Sequence, residues 1–254
     1  MTAYVQRNQP AGVPPLALTG ERTLPDVPDE NYWFRRHLAV YRWVAERCAG
    51  ERVVDMACGE GYGTAVLAQS AAGVVGVEAN PEAFEHARLR YRAPNVRFER
   101  ALVEEFEDGA PYDAIVFLQT IEHVNEPDHL LARFASLLAP GGAAYVTTPN
   151  RLTLAPPGAE RSGNPWHVRE YAPNEFEVLV RPGFESVDLL GLFHARKLRA
   201  HELAINAGWD RIHPALRLTK RFYGWFVPAI DERDFVLRAG PLDRALDLLA
   251  VCRI

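Results

Sequence analysis

The segment 53–63, which reads Val-Val-Asp-Met-Ala-Cys-Gly-Glu-Gly-Tyr-Gly, restricts the fold of this chain more than any other segment. Its first half is mainly apolar, as in a buried strand, and its second half carries three glycines at alternate positions. Because glycine has no side chain and tolerates positive φ, such a turn lets backbone come into contact with a ligand. A second apolar run, 74–77, ends at Glu78, an acid in the position that takes ribose hydroxyls. This order predicts a nucleotide-binding βαβ unit.

The glycine spacing narrows the class of nucleotide. A dinucleotide site has Gly-x-Gly-x-x-Gly, whereas Gly59, Gly61 and Gly63 follow a Gly-x-Gly-x-Gly pattern. Asp55 stands four residues before Gly59, and a carboxylate there repels a phosphate but suits a ligand with an ammonium group. The pattern therefore argues against an NAD-dependent dehydrogenase. The alternative, a turn that only packs helix on strand, leaves the coincidence of Asp55, the turn and Glu78 unexplained.

Five motifs in the same order resemble the class I S-adenosylmethionine (SAM) dependent methyltransferases. The similarity is strongest to a bacterial subgroup that methylates small metabolites, sugars and glycan intermediates, and it covers residues 50–190 and the last strand. The motifs are Gly20-Glu21-Arg22, Ala57 to Gly63, Glu122-His123-Val124, Thr148-Pro149-Asn150 and Asn164-Pro165-Trp166-His167-Val168-Arg169-Glu170.

The resemblance implies SAM as cofactor and S-adenosylhomocysteine (SAH) as product. Gly59 and Gly61 are expected against the methionine part, with Asp55 supporting the loop and the amino group and Glu78 holding the ribose. Gln119 ends the fourth strand, where ligands bind in open α/β sheets, and is expected to face the methionine part; the alternative is an amide that only caps the loop. The cofactor contacts implied are Asp55, Ala57, Gly59, Gly61, Glu78, Ala79, Ala101, Leu102, Gln119, Tyr32 and Arg36.

One departure concerns adenine. Many relatives carry an acid after the third strand, where this chain has Ala101 and Leu102. Adenine recognition is then expected from a backbone N–H, from packing of Leu102 or from Glu104.

The first helix and the segment before it offer further contacts. Arg36 in the helix or Arg22 before it is expected to pair with the methionine carboxylate, and Tyr32 is expected to cap the site. The alternative is aromatic packing with solvated arginines.

Two histidines are the candidates for catalysis. A hydroxyl acceptor must lose its proton during methyl transfer, and an imidazole titrates near neutrality. His123 follows the fourth strand, and His167 lies in a long loop with Glu170 placed to hold its imidazole. The structural alternatives are that His123 pairs with Glu122 or caps a helix, and that His167 anchors the loop. No metal site is expected, because no third ligand lies at a sequence spacing typical of metal sites.

The alternation of strand and helix predicts an α/β, Rossmann-like fold with a seven-stranded, mostly parallel sheet and helices on both faces. We expect an N-terminal tail and cap helix in 1–48, the SAM-binding core in 49–194, a helical insertion or lid in 195–232 and the final strand region in 233–254. Most of 1–28 is expected to be a poorly ordered tail.

Composition limits the partners. The net charge of −5 and the pI of 5.9 argue against a nucleic-acid binder. Three sparse cysteines indicate a reducing compartment, and the absence of a signal pattern or spanning apolar run predicts a cytoplasmic protein. The sequence leaves monomer and homodimer open. A basic group in the insertion is expected either to meet an anionic acceptor or to form a solvated face: Arg196, Lys197, Arg199, Arg217, Lys220 and Arg221.

These observations predict a methyltransferase that acts on a hydroxyl of a small molecule or sugar. N- or C-methylation with the same cofactor site is the first alternative, and it needs a base less strictly. A SAM-binding partner protein without transfer activity is the second.

Overall fold

A computed structural model of the chain describes residues 3–4, 6, 8–20, 22–156, 158–215 and 218–254. Glu21 and Arg217 lie outside the described residues. The strands are β1 (Ala3–Tyr4), β2 (Leu16–Ala17), β3 (Arg52–Met56), β4 (Gly73–Val77), β5 (Val96–Glu99), β6 (Tyr112–Leu118), β7 (Leu138–Pro149), β8 (Ser186–His194), β9 (Phe235–Arg238) and β10 (Asp247–Arg253). The helices are α1 (Asn31–Ala45), α2 (Tyr62–Leu67), α3 (Pro81–Arg90), α4 (Pro127–Leu137), α5 (Arg151–Leu154), α6 (Pro173–Val180), α7 (Arg196–Asn206), α8 (Trp209–Ala215) and α9 (Thr219–Phe226).

The main sheet is mixed and has eight strands in the order β5-β4-β3-β6-β7-β10-β8-β9, so the prediction of seven strands is wrong by one. The first five strands of this order are parallel, and β10 runs antiparallel between β7 and β8. The additional strand is β9, which pairs with β8 at the edge. Because β4 and β6 flank β3 on opposite sides, the chain reverses direction there and leaves a crevice at the carboxyl ends of the strands.

The predicted elements of the core have close counterparts in the structure. Asn80 caps α3 by accepting hydrogen bonds from the amides of Glu82 and Ala83, with Pro81 in the first helical turn. The fifth core strand differs from its prediction: β7 begins at Leu138, directly after α4, and includes the Pro-Gly-Gly segment expected to separate the two. Its pairing with β6 shifts register near Tyr112, and this irregularity accommodates the glycines.

The amino-terminal segment is more ordered than predicted. β1 pairs antiparallel with β2, and Leu16, Leu24 and Val27 form a small buried apolar cluster. These contacts give the segment a fixed path across the core.

Two glycines of the turn allow close packing of the elements around it. A Cβ on Gly63 would lie 2.0 Å from the ring of Tyr41 in α1. A Cβ on Gly61, whose φ is +93°, would lie 2.8 Å from Cβ of Ala87 in α3. Both positions therefore require glycine for packing, and Gly61 requires it for its backbone conformation as well.

The insertion before the last strand is helical, with α7, α8 and α9 between β8 and β9. The rings of His201, Phe222 and Phe226 stack within it, and Phe226 is buried. In the part of the chain that the structure describes, no helix has the length and apolar character needed to cross a membrane. The division into four segments stays a prediction.

Candidate functional site

A cavity of about 390 Å³ lies in the crevice at the ends of β3, β4 and β6, and its volume is within the range usual for small-ligand sites. It is lined by the glycine turn, by the amino-terminal segment and by the segment after β6. The lining residues are Thr19, Arg22, Thr23, His37, Tyr41, Ala57, Cys58, Gly59, Glu60, Tyr62, Glu78, Leu118, Gln119, Thr120, His123 and Trp166.

The backbone turns sharply at two strand ends that face this cavity. Ala57 after β3 has φ +57°, and Gln119 after β6 has φ +53°. Left-handed conformations in non-glycine residues are costly and concentrate at functional sites. The Gln119 amide nitrogen donates to the Thr147 hydroxyl at 3.1 Å, so this side chain also fastens the turn to β7.

Glu78 is held by the glycine turn. Its Oε2 accepts a hydrogen bond from the Gly59 amide at 2.8 Å, and its Oε1 accepts one from the Asn80 amide at 2.8 Å. A carboxylate has about four acceptor sites, so Glu78 keeps capacity for hydroxyl donors at the cavity.

Asp55 lies behind the cavity wall. It is fully buried and accepts hydrogen bonds from the Tyr41 hydroxyl at 3.1 Å and the Thr64 hydroxyl at 2.7 Å. Burial raises the pKa of Asp55 to about 7, although these two hydrogen bonds act in the opposite direction. Asp55 does not line the cavity, but Tyr41 does, so Asp55 reaches the site only through the tyrosine.

The structure does not bring Tyr32 or Arg36 to this cavity. Arg36 is buried and donates from Nε and a terminal nitrogen to Asp247, at 2.7 and 2.5 Å. The Tyr32 hydroxyl is 2.8 Å from Nε2 of His194. These two side chains connect α1 to the last strands, so the expected cofactor contacts at both positions are replaced by structural ones.

Four other predicted contacts also lie outside the cavity lining. Gly61 faces α3, and Ala101 is half-buried against the core of the sheet. Ala79 and Leu102 are exposed, with half of Leu102 accessible. The sequence therefore indicated the strand ends at the cavity but not every side chain that lines it.

Sequence reasoning missed several residues of the cavity. His37 contributes its imidazole, and burial, with a smaller contribution from the neighbouring Arg36 cation, lowers the pKa of His37 to about 4, which makes it a weak base. Its position could have been found, because it lies one helical turn before Tyr41 on the same face. Arg22 was not missed: it is the predicted alternative to Arg36, it lines the cavity, and its side chain has no hydrogen bond or ion pair with any residue that the structure describes.

Glu60, in the middle of the glycine turn, connects the cavity to the amino-terminal segment. Its buried carboxylate lies 3.1 Å from Nε2 of His86 and 3.3 Å from Nε of Arg90, and it accepts a hydrogen bond from Gln6 at 3.1 Å. His86 also bonds the carbonyl of Pro14 at 2.7 Å. These contacts hold the amino-terminal segment over the turn.

His123 is the predicted catalytic residue that the structure brings to the cavity. Its Nδ1 is 2.9 Å from the carbonyl oxygen of Trp166. Because a carbonyl only accepts, Nδ1 carries the proton, and the basic lone pair is on Nε2.

His167 is buried behind His123, with 5.1 Å between the ring centroids, and does not line the cavity. The Oδ1 of Asn164 accepts from the Trp166 amide at 3.0 Å, so its Nδ2 is the donor to Nε2 of His167, also at 3.0 Å. His167 then donates from Nδ1 to Glu170 at 2.9 Å. Both ring nitrogens are thus occupied, and the predicted catalytic role of His167 is not supported.

Glu170 stabilises this network as an anion. Burial acts to raise the pKa of Glu170, but hydrogen bonds from the hydroxyl and amide of Ser162 and from His167 outweigh it and lower the pKa. The segment Asn164 to Glu170 is therefore a rigid frame that fixes the Trp166 carbonyl against His123.

A third potential metal ligand, which the sequence did not indicate, is the carboxylate of Glu122. Its ligand atom and those of His123 and His167 lie within 4.8 Å of one another. An ion there would have to displace Asn164 or Glu170 from His167.

The fold and the cavity define an α/β protein that binds a nucleoside-containing ligand at a glycine turn. Its sequence is similar to known proteins over nearly its full length. A Mycolicibacterium smegmatis protein named "Probable S-adenosylmethionine-dependent methyltransferase" is 37% identical over 246 residues, 93% of this chain and 94% of that protein. A Mycobacterium tuberculosis protein with the same description is 36% identical over 248 residues, 93% of this chain and 89% of that protein. A ubiquinone biosynthesis O-methyltransferase of Xylella fastidiosa is 35% identical over 111 residues, 42% of this chain and 45% of that protein.

Solved structures agree on the fold. A SAM-dependent methyltransferase of Thermotoga maritima superimposes with a TM-score of 0.60 at 17% identity, covering 89% of this chain and 94% of that one. The N-methyltransferase NodS of Bradyrhizobium japonicum, solved with SAH, gives 0.53 at 12% identity, covering 88% and 87%.

The family profile described as "Methyltransferase domain" matches residues 32–199. The chain therefore belongs to the SAM-dependent methyltransferases, and SAM is its cofactor, as predicted. The cavity suits SAM. An added Cβ on Gly59 would meet only Cγ of Arg22, at 3.9 Å, so the turn leaves open space for a ligand. Glu78 offers acceptors for ribose hydroxyls, and Arg22 offers donors for a carboxylate.

Proposed function

We propose that this enzyme transfers the methyl group of SAM to a hydroxyl of a small molecule or sugar, with His123 as general base. The observation that carries the proposal is the imidazole of His123, which lines the same cavity as Gly59 and Glu78 and has its tautomer set by the Trp166 carbonyl. SAM supplies a methyl group made electrophilic by the sulfonium.

Each residue then has a defined task. Glu78 accepts hydrogen bonds from the ribose, and Arg22 pairs with the methionine carboxylate. Nε2 of His123 takes the hydroxyl proton as the oxygen–carbon bond forms and the carbon–sulfur bond breaks. Asn164, His167 and Glu170 position the carbonyl that orients His123. Positioning of the two reactants supplies most of the rate enhancement.

The choice of oxygen as acceptor is supported by the partial relatives named ubiquinone biosynthesis O-methyltransferase. The structural neighbours named as N-methyltransferases are below 25% identical and bear on the fold alone. A cytoplasmic location and a monomeric or homodimeric state stay predictions from the sequence.

The decisive variant is His123→Asn, which keeps a donor for the Trp166 carbonyl and removes the base. We expect the turnover number to fall roughly 10²- to 10⁴-fold, the usual contribution of a general base. The assay uses methyl-labelled SAM with a hydroxylated acceptor found by screening the wild-type enzyme, and calorimetry should show unchanged SAH affinity.

His129→Asn is the matched control, because His129 lies six residues further along and its side chain is 82% exposed. Near wild-type turnover of His123→Asn would contradict the proposal and favour N- or C-methylation. Tight SAM binding by the wild type without any labelled product would favour a non-catalytic SAM-binding protein.

A further inference from the structure

A second cavity, of about 870 Å³, lies at the same edge of the sheet, beyond β7. It is enclosed by the ends of β8 and β9, by α7, by α5 and by the loop that connects β9 to β10. The side chains that matter for its chemistry are Phe193, His194, Arg199, Glu202, Arg238 and Arg244.

The three arginines of this cavity have no acidic partner. The side chains of Arg199, Arg238 and Arg244 make no hydrogen bond and no ion pair with any described residue of the chain. The neighbouring cations differ: Arg196 lies 3.8 Å from Asp231, and Lys197 lies 2.8 Å from Asp234. The basic residues of the insertion therefore do not act as one group. Among those that the structure describes, Arg199 is the one that lines this cavity.

Arg238 is held in a defined orientation. Its guanidinium carbon lies 3.9 Å from the ring centroid of Phe193, which is buried. Stacking occupies the face of a guanidinium and leaves the N–H donors at its edge for a planar or tetrahedral anion. Arg238 is thus more preorganised than a free surface arginine.

The acids of the cavity do not neutralise these arginines. Glu202 is engaged with Nδ1 of His194 at 3.1 Å, and Asp243 lies beyond ion-pair distance of each arginine. Three arginines against two acids leave a charge of +1 on the lining, whereas the whole chain carries −5. A local excess of positive charge on an acidic protein favours anions at this place.

We infer that this cavity binds an anionic group, carboxylate or phosphate, of the methyl acceptor, and that Arg199, Arg238 and Arg244 hold it. The identification of the ligand as the acceptor rests on the proposed function. β10 and β8 are two and three strands from β6, so the cavity lies roughly 10–15 Å from the strand that precedes His123. The acceptor is therefore elongated, with its anionic group several bonds from the methylated hydroxyl.

The test measures anion binding without any methyl transfer. Inorganic phosphate and acetate are titrated separately into the SAH-bound enzyme at constant ionic strength, with chloride as the balancing anion, and binding is followed by calorimetry. We expect saturable binding of phosphate or acetate, and the tighter anion indicates the chemistry of the ligand. The triple variant R199Q/R238Q/R244Q should weaken that binding at least tenfold and leave SAH affinity unchanged.

Arg233→Gln is the matched control, because Arg233 is an exposed arginine in the same region that does not line the cavity. Arg244→Gln, in an exposed loop, serves if the triple variant is unstable, and it should weaken binding at least threefold. Equal binding by wild type and variants, or no binding beyond that of chloride, overturns the inference. Failure of His123→Asn to reduce turnover contradicts only the proposed function, since anion binding does not depend on the base.

Discussion

The cavity beside β3, β4 and β6 and the cavity beside α7 lie on one edge of one sheet, yet they are enclosed in different ways. The first is shaped by backbone: left-handed conformations at Ala57, Gly59 and Gln119 set its outline. The second is shaped largely by long side chains, and Arg199, Arg238 and Arg244 in its lining are exposed. The two cavities therefore differ in how much change they tolerate. The cofactor cavity depends on backbone geometry that tolerates little change, whereas the cavity proposed for the acceptor depends on side chains that can change at small cost in stability.

The largest expected effect is at the link between the two regions, the buried pair of Arg36 and Asp247. Arg36→Ala leaves the Asp247 carboxylate buried without its partner, which should lower the free energy of unfolding by about 3–5 kcal/mol. Arg35→Ala is the control: its ion pair with Glu232 is partly exposed, and its loss should cost about 0–1 kcal/mol. Urea denaturation measures both. Equal effects would mean that the buried pair does not connect the regions as described.

A smaller effect should distinguish glycines of the two regions. Gly63→Ala forces a Cβ into the ring of Tyr41 and should destabilise the protein by about 1–3 kcal/mol. Gly224→Ala, in α9, meets nothing within 4 Å and should stabilise its helix by about 0.5–1 kcal/mol. Thermal unfolding measures both changes and shows whether each variant is less or more stable than the wild type. A stable Gly63→Ala protein would show that the cofactor region repacks more easily than its geometry indicates.

The smallest effect is the pH dependence of Asp55→Asn. Since the folded-state pKa of Asp55 is raised to about 7, the folded protein retains a proton that the unfolded chain has lost, and stability falls as pH rises towards 7. Asparagine does not titrate, so the variant should gain about 1 kcal/mol on the wild type between pH 6 and pH 8. Denaturation at the two pH values measures this, with Asp188→Asn, whose carboxylate is largely exposed, as control. If the difference in stability between Asp55→Asn and the wild type is the same at both pH values, the raised pKa of Asp55 is contradicted.

The comparison also explains which features the sequence predicts. Periodicity and capping signals act locally, so α3 with its Asn80 cap and the strands of the core lie close to their predicted positions. The glycine turn predicted the cofactor, because its backbone contacts are encoded within a few residues. In contrast, Arg22 and Trp166 enter the cavity from distant segments, and a local pattern does not specify which of two arginines arrives there.

His167 and Gly61 were assigned to the site for a related reason. A motif marks residues that the site requires, but it does not separate those that face the ligand from those that support it. His167 sits behind His123 in a closed hydrogen-bond network, and Gly61 packs against α3. Only the three-dimensional arrangement distinguishes contact from support.

The amino-terminal segment has a kinetic consequence. Thr19, Arg22 and Thr23 form one wall of the cofactor cavity, and the segment is fastened by the buried contacts of Glu60 and His86. Because this segment is one wall of the cavity, we expect its local opening to be part of the release of a nucleoside-sized product. We expect SAH to contact that wall and so to slow its own departure, and a weakening of the Glu60 and His86 contacts to speed product release.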